Sequence, residues 1–322
     1  MHHFCTYFDR NYLAQGLTLC RSLTDHAGPF TLWVLCFDDI THEVISGLNL
    51  SNVRPVSLQE FEGGDEALLK AKRNRSRVEY YFTCTPSWLL YLVNHYPQIE
   101  RITYLDADLL FYAPPSTIFE ELGDRSILIV GHRFPERLRH LESQFGIYNV
   151  GLLAFRNDPP GKGCLQWWRD RCLEWCSDRP ESGRFADQKY LDDWPIRFEG
   201  VVVVQNKGAG LAPWNHMNYM VRFQDDTITV DGDPLIFYHF QGVRMIGRRF
   251  FDPGVHRYGP MASALRHRLY TPYIQALLAT EQWVRGRLPS CNLITSQIYT
   301  RDYRLRTFLL RLLQGRIMVV PR

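Results

Sequence analysis

The 322 residues predict an α/β fold, a mostly parallel central sheet flanked by helices, with a short basic helical C-terminal extension. Three observations carry this. Short apolar runs alternate with segments of helical period. The first two runs end in polar clusters, Asp9-Arg10-Asn11 and Asp38-Asp39, and open parallel sheets present their working groups at strand carboxyl ends. Beyond Pro260 the pattern gives way to short basic helices.

The elements follow in order. His3 to Phe8 is a strand, and the next helix sets Leu13, Leu17, Cys20 and Thr24 on one face. Gly28-Pro29 turns the chain into a buried strand, Thr31 to Phe37. Pro86 suits a first helical position, so a helix is expected from Thr85 to about Tyr96. Arg101 to Tyr112 reads as one apolar strand interrupted by Asp106 and Asp108. Further strands are expected at Ile127 to Gly131, Tyr148 to Phe155, Val201 to Gln205 and Pro234 to His239. Gly163 to Cys176 reads as a helix facing inward with Leu165, Trp168, Cys172 and Trp175.

A hydrophobic share of 45% and a charged share of 22% exclude a disordered chain. The net charge of +3 is unevenly spread. From Leu265 to Arg322 ten arginines face only Glu281 and Asp302, so this region carries +8 and the first 264 residues −5. That excludes a globally nucleic-acid-binding protein and aims the tail at an anionic surface. Leu305, Phe308, Leu309, Leu312 and Leu313 form a stripe among arginines. Two readings stand: a helix in a membrane interface, or a helix packed on the preceding domain. No apolar run reaches the roughly 18 residues of a membrane span. The eight cysteines sit largely in apolar runs with no signal peptide before them, which predicts reduced thiols in the cytoplasm.

The sharpest chemical signal is Tyr104-Leu105-Asp106-Ala107-Asp108. In an extended strand residues i and i+2 point the same way, so both carboxylates can reach one cation. Buried side by side without a cation they would repel and resist ionisation. Hard oxygen ligands suit Mg2+ or Mn2+, which commonly bridge to phosphate.

Leu-Asp-Ala-Asp closing an apolar strand resembles the metal motif of GT-A-fold glycosyltransferases. Other segments resemble family eight, the retaining galactosyl- and glucosyltransferases. These are Phe8-Asp9-Arg10-Asn11-Tyr12 leading to Arg21-Ser22-Leu23, Tyr148-Asn149-Val150-Gly151, Asp187-Gln188, and His239-Phe240-Gln241-Gly242. They fall in the family's order over about residues 4 to 245. The resemblance implies a GT-A catalytic domain over 1–260 and a basic helical region over 261–322. It implies Asp106, Asp108 and His239 as metal ligands, and Asn149, Asp187 and Gln188 at the reacting sugar. Thr6, Tyr7, Asp9, Asn11, Asp106, Gly242 and Arg244 would hold the nucleotide sugar. Val243-Arg244-Met245 departs from the family's Lys-Pro-Trp, but a guanidinium can grip phosphate oxygens with two donors.

Plainer readings stand beside these. His239 could be a satisfied core group, Asn149 could serve backbone groups, and Asp187 could cap the following helical turn. Asp38 reads as a solvated turn, and Trp214-Asn215-His216 as a loop near the acceptor.

The implied activity is Mn2+- or Mg2+-dependent transfer of a hexose from a UDP-sugar to a glycan or glycolipid acceptor, with retention. The expected setting is bacterial cell-surface polysaccharide or lipopolysaccharide synthesis, in the cytoplasm, with residues 299–322 touching the inner face of the plasma membrane. One rival is a sugar-nucleotide nucleotidyltransferase, disfavoured because Asp9-Arg10-Asn11 stands where that chemistry prefers a glycine-rich phosphate loop. The other is a non-catalytic sugar-nucleotide binder. Donor sugar, linkage and oligomeric state are not specified by the sequence.

Overall fold

The computed structural model describes residues 1–225, 227–246, 249–289 and 305–319. Its first nine strands are β1 (His2–Phe8), β2 (Phe30–Cys36), β3 (Val53–Ser57), β4 (Arg101–Leu105), β5 (Leu109–Phe111), β6 (Ile127–Gly131), β7 (Tyr148–Arg156), β8 (Val201–Val203) and β9 (Ala209–Leu211). Seven of them form the central sheet in the order β3-β2-β1-β4-β7-β6-β8. Only β7 runs against its neighbours, so the sheet is mostly parallel, as expected.

Alternation along β1 divides the interior into two cores. Phe4 and Phe8 join Leu17 and Leu23 of α1 (Leu13–His26) on one face. Cys5 joins the other core with Trp88 and Trp168. A Cβ at Gly16 would lie 2.1 Å from the Phe8 ring, so glycine lets α1 lie directly on β1.

Two helices begin earlier than their sequence suggests. The helix over Arg77–His95 starts at a capping box, with the Ser76 side chain on the Glu79 amide and Glu79 reaching back to the Ser76 amide. Pro86 therefore lies inside this helix rather than opening it. Two orphan amide donors are satisfied at Ser76, and Cys84, Trp88, Leu89 and Leu92 bury the face around the proline. The helix expected from Gly163 spans Pro159–Glu174, because Asp158 caps the Gly161 amide. Cys172 and Cys176 are buried and free, like every cysteine among the described residues.

The long strand expected over Arg101 to Tyr112 is broken. β4 ends at Leu105, Asp106 to Asp108 form a turn, and β5 resumes at Leu109. In a second sheet β5 pairs antiparallel with Phe237–His239, setting His239 opposite Leu109. β9 pairs with that strand on its other side. The strand expected at Pro234 to His239 is split, since Asp233–Pro234 joins a separate meander with Val221–Gln224 and Thr227–Val230.

A helix over Ser263–Arg287 packs on the first part of the chain. Its Thr280 bonds Thr18 of α1 at 3.0 Å, and its Tyr270 bonds Tyr238 at 2.9 Å. Tyr273 stacks on Phe240 with ring centres 3.8 Å apart. Further on, a helix over Leu305–Leu313 sets Phe308 edge-on to Phe250, while Arg311 pairs with Asp252. Leu309, Leu310 and Leu313 of the same helix stay exposed. Residues 299–304 and 320–322 of the expected membrane segment lie outside the described residues.

Candidate active site

Asp106 and Asp108 reach one point because the chain turns between them, not because a strand alternates. The turn is fixed by the Asp106 amide on the Gly151 carbonyl, 2.9 Å, and the Leu109 amide on the Asp106 carbonyl, 3.2 Å. The Phe240 amide bonds the Asp108 carbonyl at 3.0 Å and brings its neighbour His239 to the same place. His239 Nε2 lies 3.1 Å from Asp108 Oδ1 and 3.6 Å from Asp106 Oδ2. One ligand atom from each of the three residues falls within 4.8 Å of the others. Two carboxylates and an imidazole, with Asp106 the most open of the three, fit a hard divalent cation.

The electrostatics agree with that donor set. Burial raises the Asp106 carboxyl above its usual range and Asp108 adds to it, while His239 and a Tyr104 hydrogen bond pull it down. Burial opposes charge on His239, but Asp108 and then Asp106 outweigh it and raise its pKa. This is a place where positive charge is stabilised. Gly151 makes room for it: a Cβ there would lie 2.6 Å from Asn149 Oδ1 and 2.9 Å from His239 Nδ1.

At the end of β1, Asp9 is buried and fully engaged. It accepts from the Asn11 backbone and side-chain amides at 2.9 and 3.0 Å and from Tyr81 at 3.1 Å, and it pairs with Arg77 at 3.2 Å. Tyr12 stands half-exposed beyond them, close enough to Asp108, Asp106, Asp9 and Arg244 for their charges to act on its hydroxyl. Arg244 is exposed at the start of a strand over Arg244–Ile246, and Gly242 adopts φ 82, a left-handed conformation that favours glycine. Thr6 does not open on this cleft: its hydroxyl is enclosed in the sheet without a partner. Asp38 is a cap rather than a solvated turn, holding the Thr41 amide at 2.8 Å and pairing with Arg10 at 3.0 Å. A groove of about 670 Å3 over the ends of β2 and β3 shares Arg10 and Asp38 with this region but none of the metal triad.

The residues expected at the sugar also come together. Asn149 Nδ2 donates to Gln188 Oε1 at 3.1 Å, and Gln188 Nε2 donates to the Phe145 carbonyl at 2.8 Å. Asn149 Oδ1 accepts the Gly151 amide at 2.9 Å. Asp187 caps nothing: Gln188 occupies the cap of the next turn, without a side-chain bond. The Asp187 carboxyl is buried and pushed up to about 7, chiefly by that burial, with Thr85 hydrogen-bonding it and Asp106 repelling it.

Three contributors were assigned no role from the sequence. His132, just past β6, donates from Nδ1 to the Gly146 carbonyl at 2.9 Å and sets Nε2 3.4 Å from Asn149 Nδ2. Burial lowers its pKa to about 3, so it stays neutral. Thr85 bonds Tyr7 at 3.1 Å, and Tyr104 donates to Asp106 Oδ1 at 2.7 Å. The Trp214-Asn215-His216 loop is buried instead of lining an open acceptor surface. Trp214 Nε1 and Asn215 Nδ2 both donate to the His132 carbonyl at 3.0 Å, and Trp214 stands edge-on to His239.

No family model matches this chain. YfnF, an uncharacterized protein of Bacillus subtilis (strain 168), is 36% identical over 250 residues, covering 76% of this chain and 82% of YfnF. YfnD, a second uncharacterized protein of that strain, is 32% identical over 284 residues, covering 88% of this chain and 89% of YfnD. Among solved structures, the galactosyltransferase LgtC in complex with donor and acceptor sugar analogues superposes with a TM-score of 0.57 at 16% identity. That match covers 89% of this chain and all of LgtC. The chain therefore belongs to the protein family of YfnF and YfnD, and its fold is that of the GT-A glycosyltransferases, resembling family eight.

Proposed function

We propose that the protein transfers a hexose from a UDP-sugar to a glycan or glycolipid acceptor, with retention, using Mn2+ or Mg2+ at Asp106, Asp108 and His239. The observation that carries this reading is the convergence of those three side chains beside β4 and β5. A cation held there supplies charge stabilisation to the departing nucleoside diphosphate. The chain's own residues do the rest. Asp9, Asn11 and Tyr12 line the nucleoside end, and Arg244 offers a two-pronged phosphate contact at the rim. Asn149 and Gln188, fixed by their mutual bond, present a rigid polar wall to the sugar. Asp187 faces it as a carboxyl whose pKa burial pushes up to about 7. That LgtC was crystallised with donor and acceptor sugar analogues supports a two-substrate transfer on this fold.

In this reading residues 1–260 are the catalytic domain and 261–322 a basic region that meets the membrane. Among the described residues no helix is long and apolar enough to cross a membrane. The exposed Leu309, Leu310 and Leu313, with Arg316 nearby, supply an interfacial face for the anionic inner leaflet. The Bacillus relatives support a bacterial origin, and in this reading the reaction serves a cell-surface glycan pathway run from the cytoplasm.

Incubation with Mn2+ and a panel of nucleotide sugars, read by mass spectrometry, tests the reaction. Sugar transfer or donor hydrolysis is expected with the native chain, and loss of at least about a hundredfold with Asp108→Asn. Full activity of that variant in chelator would sink the proposal, and pyrophosphate release from a nucleoside triphosphate plus sugar phosphate would favour a nucleotidyltransferase.

A further inference from the structure

The imidazole of His132 and the amides of Asn149 and Gln188 each have two possible polarities, and backbone groups decide between them. A carbonyl only accepts and a backbone amide only donates, so each fixes the side-chain atom it meets. The Gly146 carbonyl lies 2.9 Å from His132 Nδ1, which therefore carries the ring hydrogen and leaves Nε2 an acceptor. The Gly151 amide donates to Asn149 Oδ1 at 2.9 Å. The Phe145 carbonyl takes Gln188 Nε2 at 2.8 Å, and the Val150 amide donates to Gln188 Oε1 at 3.4 Å. The side chains then match one another: Asn149 Nδ2 donates to Gln188 Oε1 at 3.1 Å and to His132 Nε2 at 3.4 Å.

The two carbonyls are themselves pinned. Asp192 Oδ1 accepts the neighbouring Ile147 amide at 2.7 Å, and Lys189, paired with Asp192 at 2.6 Å, donates to the Glu142 carbonyl at 3.1 Å. The buried His132 ring is held between Phe134, stacked with centres 4.7 Å apart, and Trp214, edge-on at 5.5 Å. A hydrogen on Nε2 instead would set two donors against each other, and reversing Asn149 would only turn its Nδ2 against the Gly151 amide.

Counting what remains gives the face shown to a substrate. Both hydrogens of Asn149 Nδ2 are used, on Gln188 and on His132. Both lone-pair directions of Gln188 Oε1 are used, by Asn149 and Val150. The hydrogen left over is the second one on Gln188 Nε2, since the first serves Phe145. We propose that His132 is a positioning residue: as the Nδ1–H tautomer it holds Asn149, and through Asn149 it turns Gln188 to offer an N–H donor and not its oxygen. The consequence for chemistry rests on the sugar-transfer reading: Gln188 donates to an oxygen of the sugar, and its own oxygen, already engaged twice, is no nucleophile.

The network is read by NMR on the full chain in chelator, with nitrogen-15 in the histidine rings and in the Asn and Gln side-chain amides. This arm needs no sugar transfer. Asn149→Asp and Gln188→Glu identify the amide signals, and His132→Gln identifies the ring. His132 is expected as the Nδ1–H tautomer, Asn149 with both hydrogens protected from solvent exchange, and Gln188 with one protected and one exchanging. An Nε2–H tautomer, or two protected hydrogens on Gln188, would overturn the proposal. Two variants then separate positioning from packing. His132→Phe keeps the ring stack and loses the acceptor, whereas His132→Gln loses the ring but can return an acceptor near Nε2. The Phe variant should free one Asn149 hydrogen and lower kcat for transfer or donor hydrolysis about tenfold or more at little-changed donor KM. The Gln variant should stay closer to the native protein on both counts. The reverse order, or equal loss in both, would reduce His132 to packing and overturn the proposal. A native chain without turnover would count against sugar transfer, and the tautomer and amide protection would then decide the network by themselves.

Discussion

At the scale of single residues, the site depends on one missing side chain as much as on those present. Gly151 sits where a methyl group would strike both Asn149 Oδ1 and His239 Nδ1. Gly151→Ala should therefore leave the fold intact but tilt His239, and Mn2+ affinity measured by calorimetry should fall about 10- to 100-fold. Affinity equal to the native protein's would mean that His239 is not held by this contact. Asp106, Asp108, His239, Asn149 and Gln188 were all legible in the sequence, because each belongs to a short motif of distinctive composition. His132, Thr85 and Tyr104 were not. For His132 and Thr85 the partners, Asn149 and Tyr7, lie in other elements and no local spacing announces such pairs, while Tyr104 stands inside the motif and its bond to Asp106 depends on the turn that follows β4.

Elements were legible where burial and period agree, and misread where capping chemistry decides. β6 and β2 fell close to their expected spans because each is a compact apolar run. The helix over Arg77–His95 was misplaced at its start because Pro86 looks like an opening residue. Ser76 and Glu79 form the true start, and they lie in a polar, basic stretch with little apolar period. This cap also matters to the site, since the helix carries Tyr81 to Asp9 and Thr85 to Tyr7. Ser76→Ala should cost about 1 kcal/mol of stability in urea denaturation. An unchanged midpoint would mean that the box adds nothing to the packed helix. The reading of Arg101 to Tyr112 as one strand failed for a related reason. Apolar residues on both sides of a tight turn look continuous, yet the turn closed by the Leu109 amide on the Asp106 carbonyl ends the β7 pairing that the Asp106 amide still makes to Gly151.

At the scale of the whole molecule, the fold class was read from alternating apolar segments, and the single reversed strand β7 was not. Reversal depends on how connections run, which residue pattern does not encode. The C-terminal helix packs on the preceding domain along one side and leaves apolar side chains exposed on the other. Phe308 and Arg311 pack inward, and Leu309, Leu310 and Leu313 point out. Replacing those three leucines with serine should reduce co-sedimentation with anionic vesicles while transfer to a soluble acceptor continues. Equal sedimentation of variant and native protein would remove the membrane from the account.

The strand over Met318–Val319 pairs with Phe250–Asp252, which pairs in turn with Arg244–Ile246. Shortening the gene product to the long helix that ends at Arg287 would thus strip away more than a solubility liability. It would bare the backbone amides and carbonyls of Phe250–Asp252 and uncover the Phe250 ring, inviting lateral self-association. It would also loosen the support beneath Arg244, the residue that in the proposed function meets the donor phosphates, before any question of membranes arose.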